Sequence, residues 1–319
     1  DSEYNFSFFS FNTEGLVNVE PKKTDWDLNF SVFTNEIPDF GSYGYSDFIV
    51  NNIKSGARVY KIDVDVDAFN YNDFEELLSI VDAKDIGVIK MEVVRNFGPE
   101  DNFLQKVREL ATKRNIVLIF DECTSGFRET FGGIYQKYDV EPDMAMYGKT
   151  LGNGYALTAV VGRKSVMEAA QNTFISSTFW TERIGPTAAL ATLKVMEETK
   201  SWEVITNIGN KMRQGWQNLA DDHNLKIDIS GIPSLSTYSF KSNKSIEYKT
   251  FITQEMLKKG YLASTNFYAS TAHNEDNLNL YFEALNDIYM LIAACEKGDM
   301  KIENLLKGPV CHSGFKRLN

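Results

Sequence analysis

The stretch Ile116-Val117-Leu118-Ile119-Phe120-Asp121-Glu122-Cys123-Thr124-Ser125-Gly126 carries the decisive pattern of this 319-residue chain. Five apolar residues run without alternation and stop at a carboxylate. A strand of that kind is buried on both faces, as in a parallel sheet with helices above and below. Upstream, Asp101–Asn115 places Phe103, Leu104, Val107, Leu110 and Ala111 on one helical face. Before it, Ile86–Val94 reads as another buried strand, and Phe74–Val81 as a short helix capped by Asn72 or Asp73.

Downstream the alternation continues. Strands are expected at Met144–Tyr147 and Leu157–Gly162, and helices at Lys164–Ala170 and Ile184–Glu198. Beyond Ser201 the order changes. A helix (Trp202–Asn218), strands near Lys226–Ile229 and Ser236–Phe240, and helices near Ile252–Lys258 and Asn277–Lys297 suggest a smaller α+β domain.

The first 65 residues differ in kind. Thirteen of them are aromatic, against 28 of the remaining 254, and they hold no Cys, His or Met. Tyr4–Phe11, Trp26–Val32 and Arg58–Val66 read as short antiparallel strands joined by polar turns. Three domains are therefore expected: a β-rich segment over 1–66, an α/β portion over 67–200 and the α+β domain over 201–319.

Composition excludes several classes of function. The net charge of −11 gives no global attraction to a nucleic-acid backbone. Cys123, Cys295 and Cys311 are scattered with no CxxC, so neither a disulfide framework nor a structural zinc site is expected, and no metal site is assigned. No apolar run approaches the ~20 residues of a membrane helix. Asp1–Ser10 has no signal-peptide pattern, which leans toward the cytoplasm, although a processed protein also starts this way.

Two residues carry the chemical argument. Asp121 closes a buried strand, and ligands of open α/β sheets bind beyond the carboxyl ends of strands. An Asp there also caps helices and tethers loops. Lys149 follows the apolar Met144–Tyr147 and stands among Gly148, Gly152 and Gly154. Glycines let backbone approach a bulky ligand, and a partly desolvated lysine becomes a nucleophilic amine. The plainer reading is a solvated lysine in a turn. It is not a P-loop lysine, because that spacing needs Gly where Asp143 stands. Taken together, a carboxylate at one strand end and a lysine 28 residues later at the next fit pyridoxal phosphate (PLP).

Asp121-Glu122-Cys123-Thr124-Ser125-Gly126-Phe127-Arg128, that spacing, and the run from Glu141-Pro142-Asp143 to Val161-Gly162-Arg163 resemble the class III, fold-type I, PLP-dependent aminotransferases. Within them the similarity is to the glutamate-1-semialdehyde aminomutase-like branch. Lys90-Met91-Glu92-Val93, the segment Ser176–Arg183 and Thr271-Ala272-His273 extend it over about residues 69–319. The resemblance implies a fold-type I large domain and a small C-terminal domain. Lys149 would form the Schiff base with the cofactor and shuttle a proton. Asp121 would pair with the pyridinium. Cys123, where the family usually has Val, would pack beneath the ring. Thr178 would bind the cofactor phosphate of the neighbouring subunit, implying a homodimer. Arg128 would organise its loop, and His273, near the entrance, is left out of the site. Cys295 and Cys311 read as structural. The reaction implied is ping-pong transfer of an amino group from an amino acid donor to a carbonyl acceptor.

Before Phe69 there is no Gly-Ser-Glu-Ala-like run and no Tyr-His-Gly-like run, the elements that cradle the phosphate and stack on the ring in that family. The large domain is accordingly expected to be incomplete at its N-terminal side, with fewer strands than its relatives. Phe8-Phe9-Ser10-Phe11, Lys23–Phe30 and Tyr45–Val50 instead resemble HmuY-type haem-binding lipoproteins, which are secreted all-β proteins. The segment holds no His or Met to serve as axial ligand. A chimeric chain is the expectation from this contrast, with a divergent N-terminal domain of one enzyme as the alternative. A secreted or surface location would follow if residues 1–65 dictate it. Two alternative functions also follow: a haem- or ligand-binding β-module, and an aminotransferase-like scaffold without catalysis.

Overall fold

The computed structural model describes residues 66–94, 96–172 and 181–312, together with the backbone of four short strands within the first 65. Those strands are β1 (Phe6–Phe8), β2 (Val17–Val19), β3 (Ser46–Ile49) and β4 (Lys61–Val64). β1 pairs with β2 and β3 with β4, both antiparallel. The strand expected over Trp26–Val32 lies outside the described residues.

The α/β portion follows the apolar pattern closely. In α1 (Phe74–Ala83) Asp73 is the N-cap, accepting the Glu76 N–H at 2.9 Å, while Glu75 and Glu76 sit in the first turn. After β5 (Val88–Glu92), α2 (Phe103–Arg114) buries Phe103, Leu104, Val107, Leu110 and Ala111. It ends where Asn115 turns left-handed, with Lys113 and Arg114 in the last turn. The chain returns as β6 (Val117–Asp121) and continues with β7 (Met144–Tyr147) and β8 (Ala159–Gly162). The sheet order is β5-β6-β7-β8. The first three strands are parallel and β8 is antiparallel, an orientation that apolar runs do not encode.

β6 is central. Leu118 and Phe120 are fully buried in the core shared with α1 and α2, while Val117 and Ile119 pack with Met146 on the opposite face. Full burial of each such side chain contributes roughly 1.5–3 kcal/mol. Among the described strands β5 and β8 are the sheet edges, and Val160 and Val161 of β8 are exposed.

The remaining elements are α3 (Lys164–Met167), α4 (Ile184–Thr199), α5 (Ser201–Asp222), β9 (Ile227–Ser230), β10 (Leu235–Phe240), α6 (Ser245–Lys258), β11 (Asn266–Tyr268) and α7 (Glu275–Lys297). β11, β10 and β9 form an antiparallel sheet in that order. α6 starts seven residues before the expected Ile252, because Tyr248, Phe251, Ile252 and Met256 form one buried stripe. β11 is a strand the sequence did not announce. Trp216, Tyr238, Tyr248 and Tyr289 fill the core between sheet and helices. The Trp216 and Tyr238 rings lie 4.6 Å apart. The turn between β9 and β10 packs on the α/β portion: Ile232 joins the core around α2, and the Gly231 N–H donates to the Asn96 carbonyl at 3.2 Å.

Candidate active site

Asp121 stands at the carboxyl end of β6, beside Glu92 on β5 and Met146 on β7 in the strand register. Its Oδ1 accepts the Cys123 N–H at 3.1 Å, and its Oδ2 lies 2.9 Å from Lys90 Nζ. Burial pushes its pKa upward. The hydrogen bond and charge of Lys90, with the Cys123 N–H, outweigh that and hold Asp121 below the usual carboxylate range. The group is an anion at neutral pH.

A tight loop follows. The Glu122 side chain turns inward: Oε2 accepts the Ser125 hydroxyl at 2.5 Å and Oε1 the Tyr135 N–H at 3.1 Å. At 1% exposure its pKa is raised by burial, which these hydrogen bonds offset only in part. Gly126 lies so close to Tyr147 that a Cβ would stand 2.8 Å from the ring, and 2.7 Å from the Glu122 carbonyl. Arg128 folds back to donate from Nε to the Thr124 carbonyl at 2.7 Å, the loop-organising role expected of it. The carboxylate at the strand end therefore rests on a rigid support.

Lys149 arrives from the neighbouring strand. β7 ends at Tyr147, Gly148 is extended, and Lys149 opens a 3-10 turn over Lys149–Leu151 with φ of 42°. A lysine in the left-handed region carries strain of order 1 kcal/mol, a feature concentrated at functional sites. Its Nζ donates to Thr124 Oγ1 at 2.7 Å. The sequence suggested a partly desolvated lysine. The structure corrects this: Lys149 is exposed, because the turn lifts it off the apolar strand.

Cys123 connects the two. Its thiol is pushed up to about 11, first by burial and then by the Asp121 carboxylate, against the opposing pull of Lys149 and Lys90. A Cβ at Gly148 would lie 3.4 Å from Cys123 Sγ, so the turn carrying the lysine passes directly over the thiol. Asp121, Cys123 and Lys149 are thus brought together. Thr178 lies outside the described residues. His273 is engaged locally, its Nδ1 accepting the Ser270 N–H at 3.0 Å and its ring packing on Phe267. Cys295 is buried in the α7 core.

Sequence reasoning singled out neither Lys90 nor Thr124 as a site residue. A lysine inside the apolar β5 was one signal. Period-two alternation puts it on the face of Glu92 and Asp121. Thr124 left no signal of its own.

An α/β sheet thus presents an ionised carboxylate at the carboxyl end of β6 and a primary amine on the turn that follows the adjacent parallel β7. Residues 82–268 match the family model Aminotransferase class-III, and the chain belongs to that family. It is 29% identical over 266 residues to the 3-aminobutyryl-CoA aminotransferase of Cloacimonas acidaminovorans, covering 79% of this chain and 64% of that protein. It is 30% identical over 240 residues to the glutamate-1-semialdehyde 2,1-aminomutase of Methanococcoides burtonii, covering 67% and 56%. The chain spans less than two thirds of the length of these relatives. The FumI protein of Sphingopyxis sp. MTA144, solved in its PLP internal aldimine form, superposes with a TM-score of 0.67 at 22% identity, over 75% of this chain and 60% of that one. The fold is that of the fold-type I PLP enzymes.

Among the described residues, the ionised Asp121, the exposed amine of Lys149 and the protonated thiol of Cys123 beside them are chemically compatible with the ring and aldehyde of PLP.

Proposed function

We propose that this chain binds PLP between Asp121 and Lys149 and transfers an amino group from an amino acid donor to a carbonyl acceptor in ping-pong fashion. When bound, PLP supplies an aldehyde that condenses with amines and a ring that accepts the electron pair released at the substrate Cα. Asp121 holds the proton on the ring nitrogen. Lys149 Nζ anchors the aldehyde, and moves the proton that leaves and returns during transfer. Thr124 Oγ1 orients that amine. Cys123 stays a thiol at neutral pH, so it packs against the ring without competing for the aldehyde. Thr178, from the neighbouring copy of a homodimer, would bind the phosphate. Three unpaired cysteines suit a reducing cytoplasm. The small domain over 201–319 and the α/β portion over 67–200 would flank the substrate entrance.

The observation that carries this reading is the ionised Asp121 at the end of β6 with Lys149 on the adjoining turn. The haem- or ligand-binding alternative for residues 1–65, and the chimera it implies, rest on the sequence resemblance alone. The test is reduction with borohydride in the presence of PLP, followed by peptide mass mapping. A phosphopyridoxyl adduct on Lys149, lost in Lys149→Ala, is expected. A folded protein with no adduct would instead assign a scaffold that keeps the family's signature without its chemistry.

A further inference from the structure

We infer that Lys90 is a positioning residue that shares the Asp121 carboxylate with the ring nitrogen and thereby weakens the electron demand of the bound cofactor. The inference rests on the PLP reading above and deepens it.

β5 and β6 are parallel, with Lys90 in register with Ile119 and Glu92 with Asp121. Alternation puts Lys90, Glu92, Ile119 and Asp121 on one face of the sheet. Lys90 therefore lies one step below the carboxylate, and its side chain climbs to it. The stem runs along the face where Val88, Val117 and Ile119 pack, and the ammonium ends 2.9 Å from Asp121 Oδ2. At this half-buried position on the edge strand the stem lies along apolar surface while the ammonium is met by the carboxylate. Both carboxylate oxygens are already engaged, Oδ1 by the Cys123 N–H and Oδ2 by Lys90.

The charged and titratable groups around Asp121 are Lys90 and Glu92 from β5, Cys123 on its own strand end and Lys149 beyond Cys123, while the neighbouring Glu122 carboxylate turns away to Ser125 and Tyr135. A ring N–H that reaches Asp121 thus meets a carboxylate already neutralised in part by a cation. The ammonium of Lys90 repels a second positive charge there. A like charge against one shared carboxylate shifts its neighbour by on the order of one pK unit. The ring nitrogen should lose its proton about tenfold more readily than it would beside an unshared Asp. A less protonated ring stabilises less negative charge in the transition state.

The experiment is ¹⁵N NMR of the full chain reconstituted with PLP labelled at the ring nitrogen, comparing wild type, Lys90→Met and Lys90→Arg. Borohydride mapping run in parallel reports whether PLP is held on Lys149. Expected is an upfield move of the ring signal in Lys90→Met, toward the protonated pyridine, with PLP dissociation weakened about tenfold. Lys90→Arg, which keeps the charge, should retain the wild-type signal. Circular dichroism checks that each variant is folded. An adduct on Lys149 with the same ring shift in all three proteins overturns the inference and leaves the function standing. No adduct in any of the three removes both. If Lys90→Met does not fold, Lys90→Gln replaces it, and an unmoved signal there is equally decisive.

Discussion

Thr124 and Lys149 come from different strand ends, and the Lys149 ammonium donates to the Thr124 hydroxyl at 2.7 Å. The bond joins the loop after β6 to the turn after β7, the two segments that carry Asp121 and the amine. Because Lys149 is exposed, this hydroxyl is what limits the sweep of a flexible four-carbon stem. Thr124→Val keeps the shape and removes the acceptor. PLP should then bind about fivefold more weakly, from the lost preorganisation of one charge-assisted bond, about 1 kcal/mol. Unfolding by urea should be unchanged. Fluorescence titration reads the affinity, and an unaltered value would mean that the hydroxyl does not present the lysine.

Glu122 offers a contrasting case, a buried carboxylate with a structural task. It accepts from Ser125 and from the Tyr135 N–H, tying both ends of the loop together. Glu122→Ala leaves both donors without a partner and should destabilise the protein by about 2–3 kcal/mol. Glu122→Gln keeps an acceptor for the Tyr135 N–H and removes the buried charge. It should be close to wild type in urea unfolding at neutral pH. An alanine variant as stable as the glutamine one would show that the loop does not depend on these bonds.

How much of this was legible in the sequence differs by layer. The helices and parallel strands of the α/β portion were readable because β6 is apolar on both faces and α2 keeps a strict stripe from Phe103 to Ala111. Asp121 and Lys149 stood out as candidates because strand ends are where such folds put chemistry, and the resemblance implied roles for them. Two properties were hidden. The exposure of Lys149 depends on a left-handed turn at a non-glycine residue, which composition does not announce. The Lys90–Asp121 pair depends on β5 and β6 being neighbours in one particular register, and register is a tertiary property. The start of α6 was misplaced because Tyr248 was not counted with the apolar stripe that it completes.

Asp143 precedes β7 and fastens it to β6. One carboxylate oxygen accepts the Leu118 N–H and pairs with Arg108, both at 2.8 Å, and the other lies 3.2 Å from Arg163. Arg163 is half exposed, so its share is screened, whereas the Leu118 N–H is buried and has no solvent to replace the bond. Asp143→Ala should cost about 2–3 kcal/mol in urea unfolding. Asp143→Asn, which keeps an acceptor for Leu118, should cost less than half of that. Because Asp143 sets how β7 lies on β6, the alanine variant should also weaken PLP binding although it does not touch the site. Equal stability of both variants would show that the charge, not the Leu118 bond, holds the strands.

Asp121 and Glu122 are neighbours in sequence with opposite effects on stability as pH changes. Asp121 is held below its ordinary value of 3.8, so its folded form releases a proton more readily than its unfolded one. Its contribution is complete above that value and is lost as pH falls through the lower folded one. Glu122 is raised above 4.5 by burial, so its favourable state is the protonated one. That contribution is complete below 4.5 and is lost as pH rises through the higher folded value. Urea unfolding from about pH 3 to about pH 8 separates the two. The stability of wild type relative to Asp121→Asn should shrink toward the acid end. The stability of wild type relative to Glu122→Gln should shrink on going from acid to neutral pH. If both differences moved in the same direction, the assignment of Asp121 as the held anion and Glu122 as the buried acid would be wrong. Asp121 would then not be ready to meet a cationic ring.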